Sequence, residues 1–407
     1  MMKLLLVLGI ALLLIRFRYE LWIVLLIASL STALLYGLEM RPLLVSLLRG
    51  AVGLPTIELI VAIYLIATLG EALSSLGYFT RLIEALENAF RDIRLVLAIP
   101  PVLLGLLPMP AGAMMSAPIV GEVGARVSLS AEEKTFINFW FRHIWEYAWP
   151  LYPGVILISA LLGVRIERIV ALQSPLVLVS LILGLVYLFR RVSRPLPRDQ
   201  GRKERTLLSL LISVWPILGI VCLVLILKVE LIISLSAILV AVFLFHRVDV
   251  RSILSHMVRG ARPRTFLLLC AVMIFKEVLD ESGGVGAFSQ VQGEAGIVAI
   301  VSLCSIPFIV GLLTGVTAAF VGVATPIFLH LLKANLNLVF LLYLCGFAGV
   351  LLSPTHLCFV VTKDYFKADL VQVYRRLLPL VVLLVVIGFF IAYLRQGSFQ
   401  FINVLVE

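Results

Sequence analysis

The sequence predicts an all-α polytopic membrane protein of two inverted-topology repeats, each holding a re-entrant helical hairpin and a broken transmembrane helix. Three observations carry this. Apolar runs of near-spanning length recur along the 407 residues, which are 62% hydrophobic and only 14% charged. A soluble domain is about half apolar and a quarter charged. Second, Pro and Gly interrupt several runs where no single straight helix accommodates them. Third, the two halves align with each other.

In order, the apolar runs predict spans over 2–15, 20–38, 55–77, 94–127, 132–164, 175–191, 207–228, 230–246, 264–282, 294–333, 337–362 and 376–395. The mean hydropathy, +1.14, agrees. In the first run Arg16 and Arg18 follow the apolar residues and no small-residue cleavage site appears. That reverses the order of a secretory signal, so a retained helix with its N-terminus outside is expected. RPLLVSLLRG at 41–50 and DVRSILSHMVRG at 249–260 mix Arg with aliphatic residues, and predict short helices lying in the membrane interface.

The 94–127 run is too long for one crossing, and Pro100, Pro101, Pro108, Pro110 and Pro118 punctuate it. Its first arm, 95–107, would rise about 20 Å as a helix, short of the roughly 30 Å hydrocarbon core. A hairpin that enters and returns is expected, with its tip at PMPAGA, Pro108 to Ala113. The 294–333 run predicts a second hairpin, with its tip at TGVTA, Thr314 to Ala318.

A shift of 206 residues sets Glu71 on Glu277, Leu73 on Leu279, Gly77 on Gly283, Pro101 on Pro307 and Gly105 on Gly311. SAP at 116–118 then meets ATP at 324–326, and Pro150 meets Pro354. The repeats are 1–189 and 206–407, joined by the basic linker 190–205. With both hairpins re-entrant, loops 16–18, 78–94, 122–134, 190–205, 247–264 and 363–376 face the cytoplasm and carry 23 of the 33 Lys and Arg residues. This positive-inside asymmetry makes the halves opposite in topology and points to the cytoplasmic (inner) membrane. It also explains the net charge of +10 without nucleic acid.

Irregular backbone at membrane depth needs protein partners or a wet cavity, so the breaks point to one polar site near the midplane. At the tips, Pro108, Pro110, Gly112, Thr314 and Gly315 shape the turns; Ser116 and Thr317 add hydroxyls beside Thr314. FWFRHIWEYAWPLYPG, 139–154, places Arg142, His143 and Glu146 before two prolines. Arg142 and Glu146 stand four apart, and so share a helix face and can pair. A charge at this depth costs roughly 2.5–3.5 kcal/mol, so these groups face a bundle interior or cavity. Arg142 is the expected countercharge for an anion, and His143, Glu146 and His356 are candidate proton carriers. Trp140, Trp145, Tyr147 and Trp149 suit either packing or an interfacial belt. In the second half Ser353, Pro354, Thr355 and His356 stand where Trp149 to Tyr152 stand in the first, so Ser353 and Thr355 join the candidate site. Glu71 and Glu277 are expected to be paired helix-end charges.

Cys222, Cys270, Cys304, Cys345 and Cys358 are scattered with no metal-ligand spacing, which predicts small core residues and no metal. Glycine loops of the Walker type, HExxH and the nucleophile elbow do not occur. The expectation is therefore not an enzyme, with no cofactor beyond a coupling ion.

LLPMPAGAMMSAPIV, FINFWFRHIWEY and VLLSPTHLCFVVTKDYF in that order resemble an integral-membrane family of bacteria and archaea, domain of unknown function 401. That family is similar to gluconate permeases, citrate transporters and arsenite or sodium–proton antiporters of the ion transporter superfamily. The resemblance implies two inverted repeats, an elevator moving against a scaffold, and often a homodimer. Sodium-coupled dicarboxylate relatives carry Ser-Asn-Thr-like tips; PMPAGA and TGVTA lack the Asn. The expected function is a secondary active transporter in the lipid bilayer. It would move a small anionic solute such as an organic acid, coupled to H⁺ or Na⁺, by alternating access. The alternatives are a cation–proton antiporter of the same fold and a membrane-embedded enzyme or lipid-handling protein.

Overall fold

Apolar runs in which every backbone group must be satisfied internally fold as helices, and the computed structural model describes residues 2–82, 92–106, 112–192, 206–284 and 294–395, whose regular elements are all helices. In the first half these are Met2–Arg16 (α1), Leu21–Tyr36 (α2), Met40–Val52 (α3), Leu54–Ser75 (α4), Ile93–Leu104 (α5), Gly112–Arg126 (α6), Ala131–His143 (α7), Pro153–Leu162 (α8) and Ile166–Arg191 (α9). In the second they are Thr206–Val221 (α10), Leu231–Phe245 (α11), Val250–Gly260 (α12), Pro263–Glu281 (α13), Glu294–Thr314 (α14), Thr317–Ile327 (α15), Leu329–Ala334 (α16), Asn337–Leu351 (α17), Leu357–Phe366 (α18) and Leu370–Arg395 (α19).

Four stretches among the described residues are long and apolar enough to cross a membrane: Met40–Ser75, Ile166–Arg191, Ile297–Thr314 and Leu370–Arg395. Many shorter apolar helices accompany them. This is a multi-pass membrane protein. Helix breaks fall at 144–152, 315–316 and 352–356, inside the runs where they were expected. Residues 107–111, with Pro108 and Pro110 of the first expected tip, lie outside the described residues, as do 83–91 and the linker beyond Val192.

Two boundaries differ from expectation. The helix expected from 175 begins at Ile166, and α19 begins at Leu370 rather than 376. Pro175 does not end its helix because Ser174 Oγ donates to Ala171 O at 3.0 Å, the carbonyl that the missing proline N–H leaves free.

The packing is reciprocal. α4 packs on α11 and α12, while α13 packs on α2 and α3. Two glycines permit it. A Cβ on Gly260 would lie 2.8 Å from Thr68 N on α4, and one on Gly50 would lie 2.6 Å from Ile274 N on α13. Both expected interfacial segments are helical, and each presents an exposed apolar stripe at i, i+4, i+8: Leu44, Leu48 and Val52 on α3, and Val250, Leu254 and Val258 on α12. Such stripes beside Arg49, Arg251 and Arg259 suit a headgroup–acyl boundary.

Candidate functional site

The polar site is built around the two breaks that follow α7 and α17. α7 begins at a capping box: Ser130 Oγ accepts from Glu133 N at 3.2 Å, and Glu133 Oε2 accepts from Ser130 N at 2.8 Å. Glu133 also pairs with Arg191 on α9. α7 runs as far as His143. Pro150 and Pro153 then lack the N–H groups a helix needs, and Pro153 opens α8 in its first turn, where a missing N–H costs nothing.

Each break holds the end of a neighbouring helix by its freed carbonyls. After α5, Leu104 O accepts from Arg142 Nη1 at 2.9 Å and Gly105 O from Tyr152 OH at 2.6 Å. After α14, Leu313 O accepts from Thr355 Oγ1 at 3.2 Å and Gly315 O from His356 Nδ1 at 2.6 Å. Gly315 has φ +64°, and a Cβ there would lie 2.7 Å from His356 N, so this turn requires glycine.

The shared helix face expected for Arg142 and Glu146 does not form. α7 ends between them, so Glu146 is not the next turn above Arg142. The break turns Glu146 toward the second half instead. Its Oε2 accepts from Thr317 Oγ1 at 2.7 Å, and its backbone carbonyl accepts from Tyr343 OH at 2.8 Å. His143 and His356 meet beside it, with their Nε2 atoms 2.9 Å apart. Asn138 Nδ2 on α7 also bridges the halves, donating to Ala113 O at 3.0 Å and Thr362 Oγ1 at 3.2 Å.

A cavity of about 400 Å³ opens at this junction. Of the expected residues it is lined by Arg142, Glu146, Thr314, Gly315, Thr317, Thr355 and His356. His143 lies behind it, 1% exposed. Ser353 is buried, with Oγ 2.9 Å from Thr355 Oγ1. Ser116 is buried and donates to Ala113 O at 3.4 Å. Gly112 is the first residue of α6. The aromatics of 139–154 are packing residues: Trp140, Tyr147 and Trp149 are buried, and Trp145 Nε1 donates to Val102 O at 2.9 Å.

Three contributors were missed. Arg262 lines the cavity and donates to Glu71 Oε1 at 3.2 Å; the sequence reading had counted it as a cytoplasmic loop charge. Of the two expected helix-end charges, Glu71 thus pairs with Arg262, and Glu277 pairs with its neighbour Lys276. Tyr343 carries its only polar atom to Glu146 from within an apolar run. Cys358 lines the cavity, and its sulfur and the two imidazoles lie within 4.8 Å of one another. His356 and Cys358 two residues apart was a legible signal; their meeting with His143 was not.

The fold and this site define a multi-pass helical membrane protein whose interior polar groups converge where two helices break. The chain belongs to the DUF401 family, described as a protein of unknown function, whose model matches residues 1–395. No curated protein matches it.

Proposed function

We propose that this protein is a secondary active transporter that moves a small anionic solute, such as an organic acid, coupled to H⁺ or Na⁺. The observation that carries this is the cavity between the halves, about 400 Å³, lined by Arg142, Arg262 and the hydroxyls of Thr314, Thr317 and Thr355. Its volume suits a small ligand. Two guanidiniums and several convergent donors select for carboxylate geometry. Arg142 is 3% exposed, and an ion held so deep in a membrane protein implies work done there.

Two paired features support a duplicated architecture and, with it, alternating access. The halves pack reciprocally through α4 and α13. The aligned glycines Gly105 and Gly311 both lie under a backbone carbonyl, Arg142 O and Gly346 O respectively. We read 94–127 and 294–333 as re-entrant hairpins, and 1–189 and 206–407 as inverted repeats around one site. The relationship to the ion transporter superfamily, an elevator movement, a homodimer and an external N-terminus in the inner membrane belong to the same proposal.

The test is uptake of radiolabelled organic acids into proteoliposomes under an imposed H⁺ or Na⁺ gradient. Arg142→Gln that still melts cooperatively is expected to abolish uptake, and unchanged uptake refutes the anion-binding role. Na⁺-driven proton efflux without anion uptake would assign the protein to cation–proton antiport instead.

A further inference from the structure

The geometry points to a transition-metal site: we propose that His143 Nε2, His356 Nε2 and Cys358 Sγ bind one Zn²⁺, joining the two helix breaks. Nothing in the transport reading requires it, and its test does not depend on transport.

The tautomers come first. His143 Nδ1 lies 2.5 Å from Phe139 O, and His356 Nδ1 lies 2.6 Å from Gly315 O. A carbonyl oxygen only accepts, so both Nδ1 atoms carry hydrogen. This is the arrangement that orients metal-ligating histidines and raises their basicity. Both Nε2 atoms therefore present lone pairs, and they face each other across 2.9 Å. Two lone pairs at that distance repel unless an electrophile lies between them. Cys358 Sγ lies within 4.8 Å of both nitrogens, and its thiol carries the nearest displaceable proton.

A divalent metal replaces that proton. Zn²⁺ binds the thiolate and both imidazoles, and one H⁺ leaves. Imidazole with thiolate is a donor set of the zinc class. The fit needs small movements. With Zn–N about 2.05 Å, nitrogens 2.9 Å apart would subtend about 90°, and opening them by about 0.4 Å gives a tetrahedral angle. The sulfur moves in by about 1 Å, within reach of a turn about the Cys358 Cα–Cβ bond. Glu146, which lines the cavity, brings Oε1 to 3.8 Å from His143 Nε2 and is the candidate fourth ligand. His143 is 1% exposed, His356 7% and Cys358 9%, so all three ligands are held inside the protein. Arg142 stands close, but its guanidinium attracts a Cys358 thiolate, and thiolate and Glu146 together offset the added charge. A bound metal withdraws both imidazoles from proton carriage. The metal role and the proton-carrier role expected of His143 and His356 therefore exclude each other.

The experiment uses the full-length protein in detergent, stripped with chelator and titrated with Co²⁺ and Zn²⁺. One Co²⁺ per chain is expected, with visible bands of tetrahedral Co²⁺ and a near-ultraviolet sulfur-to-cobalt charge-transfer band that Zn²⁺ abolishes. Cys358→Ser, close in size and expected to fold, should lose the charge-transfer band. His356→Gln should lose stoichiometric binding. Zn²⁺ should raise the melting temperature of the wild type and leave Cys358→Ser unmoved. A wild type that binds no Co²⁺, or a Cys358→Ser protein that keeps the same bands, overturns the proposal.

Discussion

Replacing Thr317 with Val tests the contact between the halves at Glu146. The exchange swaps a hydroxyl for a methyl at nearly constant volume, so packing is kept and one donor is removed. The Thr317 hydroxyl lies 2.7 Å from Glu146 Oε2, between groups each 9% exposed. A hydrogen bond to a charged group is worth about 1.5–3 kcal/mol net, and a neutral one about 0.5–1.5 kcal/mol. With an ionised Glu146, Thr317→Val should cost about 2 kcal/mol. In a Glu146→Gln background the same change should cost about 1 kcal/mol, which leaves a coupling near 1 kcal/mol, roughly fivefold in an equilibrium constant. In a chain this long that corresponds to a fall of about 2–4 °C in melting temperature for the first substitution. Tryptophan-fluorescence melting of the four proteins in one detergent completes the cycle. Losses below about 0.4 kcal/mol in both backgrounds would refute a Thr317–Glu146 bond and with it this joining of the halves; equal losses near about 1 kcal/mol would refute an ionised Glu146 instead.

Gly260→Ala should destabilise by about 1–3 kcal/mol despite the better helix propensity of Ala, because its Cβ meets Thr68 backbone at 2.8 Å. Gly9→Ala, with open space around it, should be neutral or stabilising by up to about 1 kcal/mol in the same melting assay; the reverse order would contradict the packing of α4 on α12. Asp92 caps α5, and the Arg94 side chain hydrogen-bonded to it holds its carboxyl below the usual range. A lowered value in the folded state means that this stabilisation is complete above the unfolded pKa, about 3.9, and is lost as pH falls through the lower folded value. Asp92→Asn should therefore melt lower than wild type at pH 6, with the gap narrowing on acidification below about pH 4; a gap independent of pH would refute the ion pair.

Much of the fold was legible because its causes are local. The apolar runs announce helices, since buried backbone in a bilayer has no other way to satisfy itself over short distances. Pro150, Pro153 and Pro354 mark breaks by what a proline lacks. Arg and aliphatic residues mixed over 41–50 and 249–260 mark two amphipathic helices, and both are present as α3 and α12. The depth of Arg142 and His143 follows from placing costly groups inside an apolar run, and both are buried.

What the sequence determined by itself is therefore the helical membrane class, the places where helices break, and the presence of ionisable groups near them. The tertiary structure decided who meets whom. Arg142 and Glu146 are four residues apart, yet α7 stops between them and Glu146 bonds Thr317, 171 residues away. His143 meets His356 across 213 residues, and Cys358 joins them. Arg262 stays in the short link between α12 and α13, inside the expected loop, yet lines the cavity. Periodicity and turn chemistry report only on the few residues that share a turn of helix. A contact across two hundred residues depends on how close two helices can pack, which here is set by bare glycines such as Gly50, Gly260 and Gly315 at the points of approach.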